Sequence, residues 1–499
     1  MIIRRLYSPF DLRLEILRKE NRLTATRIHL PAKAGSPLRG FCRQHMKSIR
    51  IAGGLGFYGD SWRPIKASIE RGNIQYVASD HLAELTLAIL QKDRQRDPNL
   101  GYTRDLVPML LDLLPIAIPR GVRFILNAGG LNPMAAREVL LSALKKFGIK
   151  LKVGIVLGDS VLERLDELQA AGVSLAHMDT GEDIARVRDR LLFASAYLGA
   201  RPLVEALDAG ADIVLAGRVA DATLFLAPMV HELGWRWDDW DKLAQGMVVG
   251  HLLECSGQAT GGNFGGDWRS IPDLAHIGYP IAEVWENGAA VISKAPGTGG
   301  RVNFDTLREQ LLYEVHDPGH YMTPDVDVDM TTLHMEEIGP GEVRVTGATG
   351  RPAPEMFKIV AGYEDGVMGQ AMIGYAWPDA LAKARLAAQI IQQQMVEVGL
   401  KAEETVIEYM GYDSIHGPLA NPTHARDLNE VYLRIAVRCA DKKEAAKLGR
   451  LFPPLALSGP PFIGGAGGMI EPRGLLGIWP TLAPRSIIEE YIRVSVEES

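Results

Sequence analysis

Five short segments of the chain share one pattern, in which a run of apolar or β-branched residues ends in a polar or glycine-rich turn and a helical pattern follows. Runs of this length predict buried strands, and the periodicity after them predicts helices. Repeated strand-turn-helix units predict an α/β fold, with a parallel sheet and helices on both faces. The five segments are SIRIAGGLGFYGDS, IQYVASDHLAEL, RFILNAGGLNP, LKVGIVLGDSVLE and ADIVLAGRVADATL.

Beyond residue 262 the pattern predicts hairpins instead. Alternating apolar and polar residues lie on either side of short turns that contain glycine, which is typical of antiparallel strands. The predicted turns are Asn287-Gly288, Pro340-Gly341 and Asp365-Gly366. A glycine-rich segment at 458–468 predicts a mobile loop. We therefore predict an α/β domain at 46–262 and a hairpin-rich α+β domain at 263–499.

The bulk composition narrows the class of protein. Of 499 residues, 47% are hydrophobic and 23% are charged, which is typical of a globular protein. No segment is long and apolar enough to predict a membrane span. Three cysteines, far apart and odd in number, argue against a disulfide framework and for a reducing compartment, so we expect a cytoplasmic protein.

The charge is unevenly distributed along the chain. Residues 1–45 hold ten basic and three acidic side chains, whereas the whole chain has a net charge of −7. We interpret 1–45 as a basic extension outside the folded core. It is either an Arg-rich targeting segment or upstream sequence before a start at Met46, and an arm packed on the surface is a third reading. Because the rest of the chain is acidic, we expect no binding to nucleic acid.

Polar side chains follow the predicted parallel strands, and they are Asp60, Asp80, Asn127, Asp159, and Arg218 with Asp221. The carboxyl ends of parallel strands meet at one edge of a sheet, where α/β proteins bind small molecules. Arg218 can grip a substrate carboxylate through two parallel hydrogen bonds, or it can form a structural ion pair with Asp221. We expect Asn127 to orient the substrate, and Asp60 and Asp221 to transfer protons.

The turn after the first strand, Gly54-Leu-Gly56-Phe-Tyr-Gly59, fits the spacing of a dinucleotide-binding loop. In such loops the glycines let the backbone approach a pyrophosphate at a helix N-terminus. The next residue, Asp60, would place a negative charge beside that pyrophosphate. We therefore favour a tight turn that presents Asp60 to a cleft, and a nicotinamide-dependent oxidoreductase remains an alternative.

The densest chemical segment is Gly250-His251-Leu-Leu-Glu254-Cys255-Ser-Gly-Gln258. On a helix, His251, Glu254 and Cys255 fall on one face. His251 and Glu254 so placed predict an acid/base pair. Two other readings stay open: a set of metal ligands, which lacks a second histidine or cysteine at ligand spacing, and a buried interface stripe.

A second glycine-rich loop, Lys294-Ala-Pro-Gly-Thr298-Gly299-Gly300-Arg, follows a predicted hairpin strand and precedes a helix. Glycines flanked by basic side chains before a helix predict an anion cradle, with donors from Lys294, Thr298 and the backbone of Gly299 and Gly300. In a Walker loop the lysine follows the glycines, so we do not expect ATP hydrolysis.

Taken together, these segments resemble the acyclic terpene utilisation (AtuA-type) family. The resemblance covers about residues 47–495 and is carried by GLGFYGDS, NAGGLNP, GADIVLAGRVAD, GHLLECSGQATGGNF, KAPGTGGRVN, EQLLYEVHDPGHYMTPDV and GIWPTLAPR. It implies a catabolic role but supplies no catalytic residues. It also implies that a small ferredoxin-like domain, which some relatives carry at the C-terminus, would here be a separate subunit.

We therefore expect a catabolic lyase or hydro-lyase that acts on a branched carboxylated small molecule or its acyl-CoA thioester. Such reactions need a base at the α carbon and cations that stabilise the developing enolate. The main alternative is a noncatalytic subunit or scaffold of an acyl-CoA carboxylase or lyase complex. The sequence predicts no cofactor, no metal site and no membrane contact, and we expect a homo-oligomer.

Overall fold

The five segments with the shared pattern form the parallel centre of one sheet, as predicted. The computed structural model describes residues 46–499, and the basic extension predicted at 1–45 lies outside the described residues. The central strands are β1 (Ser48–Gly53), β2 (Tyr76–Ser79), β3 (Arg123–Leu126), β4 (Lys152–Leu157) and, after β5 (Leu191–Ala196) in another sheet, β6 (Ile213–Ala216). They pair in parallel in the order β1-β2-β3-β6-β4.

Antiparallel strands extend this centre on both sides into a ten-stranded sheet within residues 46–499. The added strands are β7 (Pro280–Trp285), β8 (Ala290–Lys294), β11 (His334–Gly339), β12 (Glu342–Thr346) and β18 (Arg493–Glu498). A three-stranded sheet holds β9 (Tyr321–Met322), β10 (Asp327–Asp329) and β13 (Thr349–Arg351). The large sheet takes strands from both sides of residue 262, and the domain boundary proposed there remains a prediction.

Helices cover both faces of the large sheet. In β6, Val214 and Ala216 pack into one apolar cluster, while Ile213 and Leu215 pack into another. Since neighbouring strand residues point to opposite faces, both faces are buried. The helices of the described residues are α1 (Arg63–Arg71), α2 (Glu84–Arg96), α3 (Leu106–Ala117), α4 (Pro133–Lys146), α5 (Leu165–Ala170), α6 (Arg201–Asp208), α7 (Thr223–Leu233), α8 (Trp240–Glu254), α9 (Phe304–Leu312), α10 (Ala380–Glu397), α11 (Lys442–Leu451), α12 (Leu455–Ser458) and α13 (Arg485–Glu489). Of these, α10, α11 and α12 pack against another sheet.

Two of the three predicted hairpins are confirmed. β7 pairs with β8 across Asn287-Gly288, and β11 pairs with β12 across Pro340-Gly341. The turn glycines have φ values of 87° and 73°, which a side chain would disfavour. Within the described residues, no helix combines the length and the apolar character that a membrane crossing requires.

The third predicted hairpin is wrong, because its segment forms a single long strand. Strands β15 (Glu404–Met410), β16 (Glu430–Cys439), β14 (Met356–Ala376) and β17 (Ile463–Pro484) form a sheet in that order, and β5 also pairs with β14. Gly366 adopts a φ of 79° at a register shift between Glu364 and Val367. The glycine therefore accommodates a bulge in a paired strand rather than a reversal of the chain.

The prediction of a mobile loop at 458–468 is only partly correct. From Ile463 onward the backbone belongs to β17, which pairs with β14. Glycine is weak evidence against a strand when a long partner supplies the hydrogen bonds of the ladder. Pairing across the chain thus overrides the local preference.

The centre of the sheet should dominate stability. Leu215 is fully buried in β6, between β3 and β4. We expect Leu215→Ala to lower the free energy of unfolding by about 2–5 kcal/mol, because the cavity it leaves cannot fully collapse. Denaturant titration of the purified protein measures this. Leu457, which is 97% exposed, provides the control, and an equal loss in Leu457→Ala would contradict the assignment of the core.

Candidate active site

A cavity of about 1170 Å³ lies at the carboxyl ends of β1, β2 and β6, which is the edge that the sequence predicted. The turns after these strands contribute Asp60, Asp80, Arg218 and Asp221 to its wall. The opposite wall includes Glu254, Cys255 and Gln258 at and beyond the end of α8, with Thr298, Tyr313 and Lys358. Residues from distant parts of the sequence therefore meet around one space that is large enough for a metabolite.

Arg218 is the central cation of this wall, and its side chain is only 1% exposed. Its Nη1 donates to the carbonyl of Leu82 at 2.7 Å, and its Nη2 donates to Asp221 Oδ1. The guanidinium carbon lies 4.2 Å from the centre of the Tyr197 ring. Burial favours loss of its proton, but the surrounding carboxylates and Tyr197 raise the pKa of Arg218 above its usual value, so it stays charged.

Asp80 and Asn127 are linked beside this arginine. Asn127 Nδ2 donates to Asp80 Oδ1, and Asn127 Oδ1 accepts from the backbone N–H of His81 at 2.6 Å. Burial, and then the charge of Asp221, raises the pKa of Asp80 well above its ordinary range. Asn127 is fully buried and does not line the cavity, so in this structure it positions Asp80 rather than contacting the space directly.

Asp159 is buried and does not line the cavity. Its Oδ2 accepts from the backbone N–H of Arg218 at 2.9 Å, and burial raises its pKa to about 6. A Cβ added at Gly217 would lie 2.5 Å from the same oxygen, so only glycine allows this close approach. Asp159 thereby fixes the backbone from which the Arg218 side chain extends.

His251 and Glu254 form the pair that the helical spacing predicted. His251 Nδ1 lies 2.7 Å from Glu254 Oε1, and both side chains are buried. His251 Nε2 donates to the carbonyl of Leu311 at 3.2 Å and must therefore carry a proton. Consequently the hydrogen bond between the pair holds one further proton, either as imidazolium with carboxylate or as imidazole with carboxylic acid.

Only Glu254 of this pair lines the cavity, and His251 lies behind it. Burial raises the pKa of Glu254 to about 7, although the His251 charge opposes the shift. Burial also raises the pKa of the neighbouring Cys255 thiol well above its usual value, so the thiol stays protonated and is a poor nucleophile. The proton-carrying group at this wall is therefore Glu254.

Asp60 lines the cavity, as expected, at the end of the first glycine loop. It accepts hydrogen bonds from Gly56 N–H at 3.1 Å, Ser61 N–H at 2.7 Å and the Tyr279 hydroxyl at 3.0 Å. The other N–H groups of the loop that have partners are those of Gly54, Leu55 and Gly59, which donate within the protein. These donors are engaged with the protein itself, which disfavours a pyrophosphate cradle.

The donors of the loop after β8 also have hydrogen-bond partners within the protein. Lys294 Nζ donates to the Thr298 carbonyl at 2.6 Å, and Thr298 Oγ1 donates to the Ala295 carbonyl at 2.6 Å. The N–H groups of Gly299 and Gly300 donate to backbone carbonyls at 2.8 and 2.7 Å. Thr298 lines the cavity, whereas Lys294, Gly299 and Gly300 do not. The donors of the predicted anion cradle are therefore hydrogen-bonded within the loop and to neighbouring backbone carbonyls.

The side chains of the cavity that the sequence analysis missed include Tyr197, Glu84 and Lys358, which lie together. The Tyr197 hydroxyl donates to Glu84 Oε1 at 2.8 Å, and Lys358 Nζ lies 3.7 Å from the same oxygen. Tyr197 follows β5 and Lys358 belongs to β14, and these two strands pair outside the large sheet. No local sequence pattern predicts that Tyr197 and Lys358 lie close together, because this depends on the pairing of two strands that are far apart in sequence. Among the described residues, no set of three or more histidine, cysteine, aspartate or glutamate side chains is arranged to hold a metal ion.

The comparison with protein families agrees with the resemblance carried by these segments. The model of the acyclic terpene utilisation family protein AtuA matches residues 49–494. The chain belongs to this family. AtuA membership suggests a role in acyclic terpene utilisation. No curated protein and no solved structure matches the chain.

Asp159 should make the stability of this protein depend on pH. Its folded pKa of about 6 lies above the ordinary value of 3.8, so between these pH values the folded protein holds a proton that the unfolded chain has released. Its contribution to stability is therefore greatest below about pH 4 and is lost as the pH rises to about 6. In the wild type, the titration of Asp159 should lower the free energy of unfolding by about 2–3 kcal/mol over this range, and this decrease should be absent in Asp159→Asn.

Denaturant titrations at several pH values between 4 and 7 measure this difference between the wild type and Asp159→Asn. Asp166, whose side chain is 87% exposed, supplies the control variant Asp166→Asn. Parallel stability curves for the wild type and Asp159→Asn would show that the buried carboxyl does not titrate in this range.

Proposed function

We propose that this protein is a catabolic lyase or hydro-lyase that acts on a branched carboxylated small molecule or its acyl-CoA thioester. The observation that carries the proposal is the His251–Glu254 pair. Glu254 lines the large cavity and shares one proton with His251, which lies behind it. A carboxyl group with a pKa of about 7 exchanges its proton readily at neutral pH, as a general acid or base must.

The elimination of water requires two opposed proton transfers. A base removes a proton from the carbon beside a carbonyl, an acid protonates the departing hydroxyl group, and a carbon–carbon double bond and water are formed. Glu254 is the candidate acid that protonates the departing hydroxyl group, because it can carry the proton shared with His251. Asp60 and Asp221 are the candidate bases, since both are acceptors on the wall formed by the strand ends.

The alternatives receive less support from the geometry. A scaffold subunit needs no deep cavity lined by buried acids, whereas this chain has one. A nicotinamide-dependent oxidoreductase needs donors for a pyrophosphate, and those of the first glycine loop that have partners donate within the protein. A homo-oligomer and a separate small subunit with a ferredoxin-like fold remain predictions.

The substrate class can be tested by thermal shift. The full chain should be heated with branched acyl-CoA thioesters, with the corresponding free acids and with nicotinamide cofactors. A ligand that binds the folded state raises the melting temperature. We expect shifts from branched acyl compounds. Shifts confined to nicotinamide cofactors would favour the oxidoreductase, and a stoichiometric partner that restores activity to an inactive chain would favour the scaffold.

For a compound that is turned over, Glu254→Gln should lower kcat by about 100-fold or more, because the amide cannot donate or accept the catalytic proton. The pair of His231 and Asp208, which are 2.6 Å apart at the surface, provides a matched control. We expect Asp208→Asn to leave kcat unchanged. Steady-state kinetics measures both variants, and wild-type kcat in a folded Glu254→Gln protein would rule out Glu254 as the proton donor.

A further inference from the structure

One part of the cavity wall carries basic side chains without acidic partners. The residues of α1 that line the cavity recur at the spacing of one helix face, and they are Arg63, Pro64, Ala67 and Arg71. Arg63 and Arg71 are exposed, and neither forms an ion pair with a carboxylate of the described residues. We call Arg63, Ala67 and Arg71, together with Gly297 and Thr298 of the adjoining loop, the α1 rim.

Arg71 links α1 to the loop after β8. Its Nη1 donates to the carbonyl of Pro296 at 2.6 Å, and a guanidinium group has five N–H donors, so most of them remain for a ligand. Burial, and then the charge of Arg71, lowers the pKa of Lys294 in the same loop. Lys294 also forms no ion pair with a described carboxylate. The two cations therefore repel each other, and an anion bound beside them would relieve this repulsion.

The carboxylates of the adjoining wall have partners of their own. Asp60 lines the cavity just before α1 and accepts from the three donors described above. Asp273 lines it beside the loop, and its Oδ1 lies 2.9 Å from His276 Nδ1. Neither carboxylate pairs with Arg63 or Arg71. The positive charge of the α1 rim thus remains available to a ligand.

The loop side of the α1 rim is held in place by backbone hydrogen bonds. The N–H groups of Gly299 and Gly300 donate to the carbonyls of His276 and Pro272 at 2.8 and 2.7 Å. A Cβ added at Gly299 would lie 1.9 Å from the carbonyl oxygen of Asp273, so only glycine allows this approach. These bonds use the backbone donors but fix the loop to which Arg71 is bound. An anion at the rim is therefore recognised by side chains.

The spacing and the surroundings of the two arginines favour a ligand with several phosphate groups. Eight residues of helix separate their Cα atoms by about 12 Å, so phosphates at more than one position can contact both. Arginine is well suited to phosphate, because its planar N–H groups match the phosphate oxygens. Phe57 and Leu274, which are 54% and 47% exposed, line the same cavity and offer apolar surface to a flat base ring.

We propose that the α1 rim binds the phosphate groups of a coenzyme A thioester, with Arg63 and Arg71 as their ligands. The uncharged pantetheine chain then runs through the cavity, and the acyl group lies towards Glu254. This inference rests on the proposed function and selects, between its two substrate forms, the thioester over the free acid.

Calorimetric titration of the full chain at pH 7.5 with coenzyme A, pantetheine and ADP tests this. Pantetheine lacks all phosphates, and ADP lacks the pantetheine chain. We expect coenzyme A to bind at least about tenfold more tightly than either fragment, a difference of about 1.4 kcal/mol. Pantetheine that binds as tightly as coenzyme A, or coenzyme A that does not bind, would overturn the inference. ADP that binds as tightly as coenzyme A would assign the rim to a free nucleotide and also overturn it.

Two variants locate the phosphates. Arg63→Gln and Arg71→Gln should each weaken binding of coenzyme A at least about fivefold and leave binding of pantetheine unchanged, because only the phosphates lose a partner. Arg96 is 80% exposed on α2 and does not line the cavity, so Arg96→Gln is the matched control. No hydrogen bond of the Arg63 side chain to another described residue is lost in Arg63→Gln, and melting curves show whether Arg71→Gln folds. Wild-type affinity for coenzyme A in both folded variants would overturn the assignment.

The outcomes separate this inference from the proposed function. Binding of coenzyme A that depends on Arg63 and Arg71, without turnover of any acyl compound, would contradict the proposed reaction and leave the phosphate site standing. Turnover of a free branched acid by a chain that does not bind coenzyme A would support the reaction and overturn the phosphate site.

Discussion

A buried guanidinium group is costly unless its donors are satisfied and its charge is balanced, and the candidate site is arranged around this constraint. Arg218 receives Asp221 and the Leu82 carbonyl as acceptors, the Tyr197 ring against its flat face, and Asp159 on its own backbone N–H. These groups come from the ends of different strands. The arginine therefore fixes the relative positions of the turns that line the cavity.

The same constraint determines the protonation of the neighbours. One cation cannot balance every carboxyl group around it, so burial raises the pKa of Asp80 and, further along the wall, that of Glu254. The arrangement resembles other sites in which environment separates the roles of chemically similar acids. Asp60, held by three donors, is positioned as an acceptor, while Glu254 carries a proton that it shares with His251.

The sequence was sufficient to predict the parallel strands and their polar ends, because buried runs followed by turn residues are local signals. It also placed His251 and Glu254 together, since a three-residue spacing on a helix fixes their proximity. It could not show that Glu254 alone reaches the cavity, because that depends on packing against α9. It missed Lys358 and the bulge at Gly366 for a related reason: the course of β14 is decided by its partner strands, which are distant in sequence.

The two glycine-rich loops show why local spacing misleads about phosphate binding. A cradle needs N–H groups without partners, but the N–H groups of Gly299 and Gly300 are bound to backbone carbonyls, and Gly56 N–H is bound to Asp60. The glycines serve close packing instead: a Cβ at Gly54 would overlap Ser79. With these donors satisfied internally, side chains must provide more of the ligand recognition in the cavity. A glycine-rich turn before a helix therefore indicates a phosphate site only when folding leaves its backbone donors unpaired.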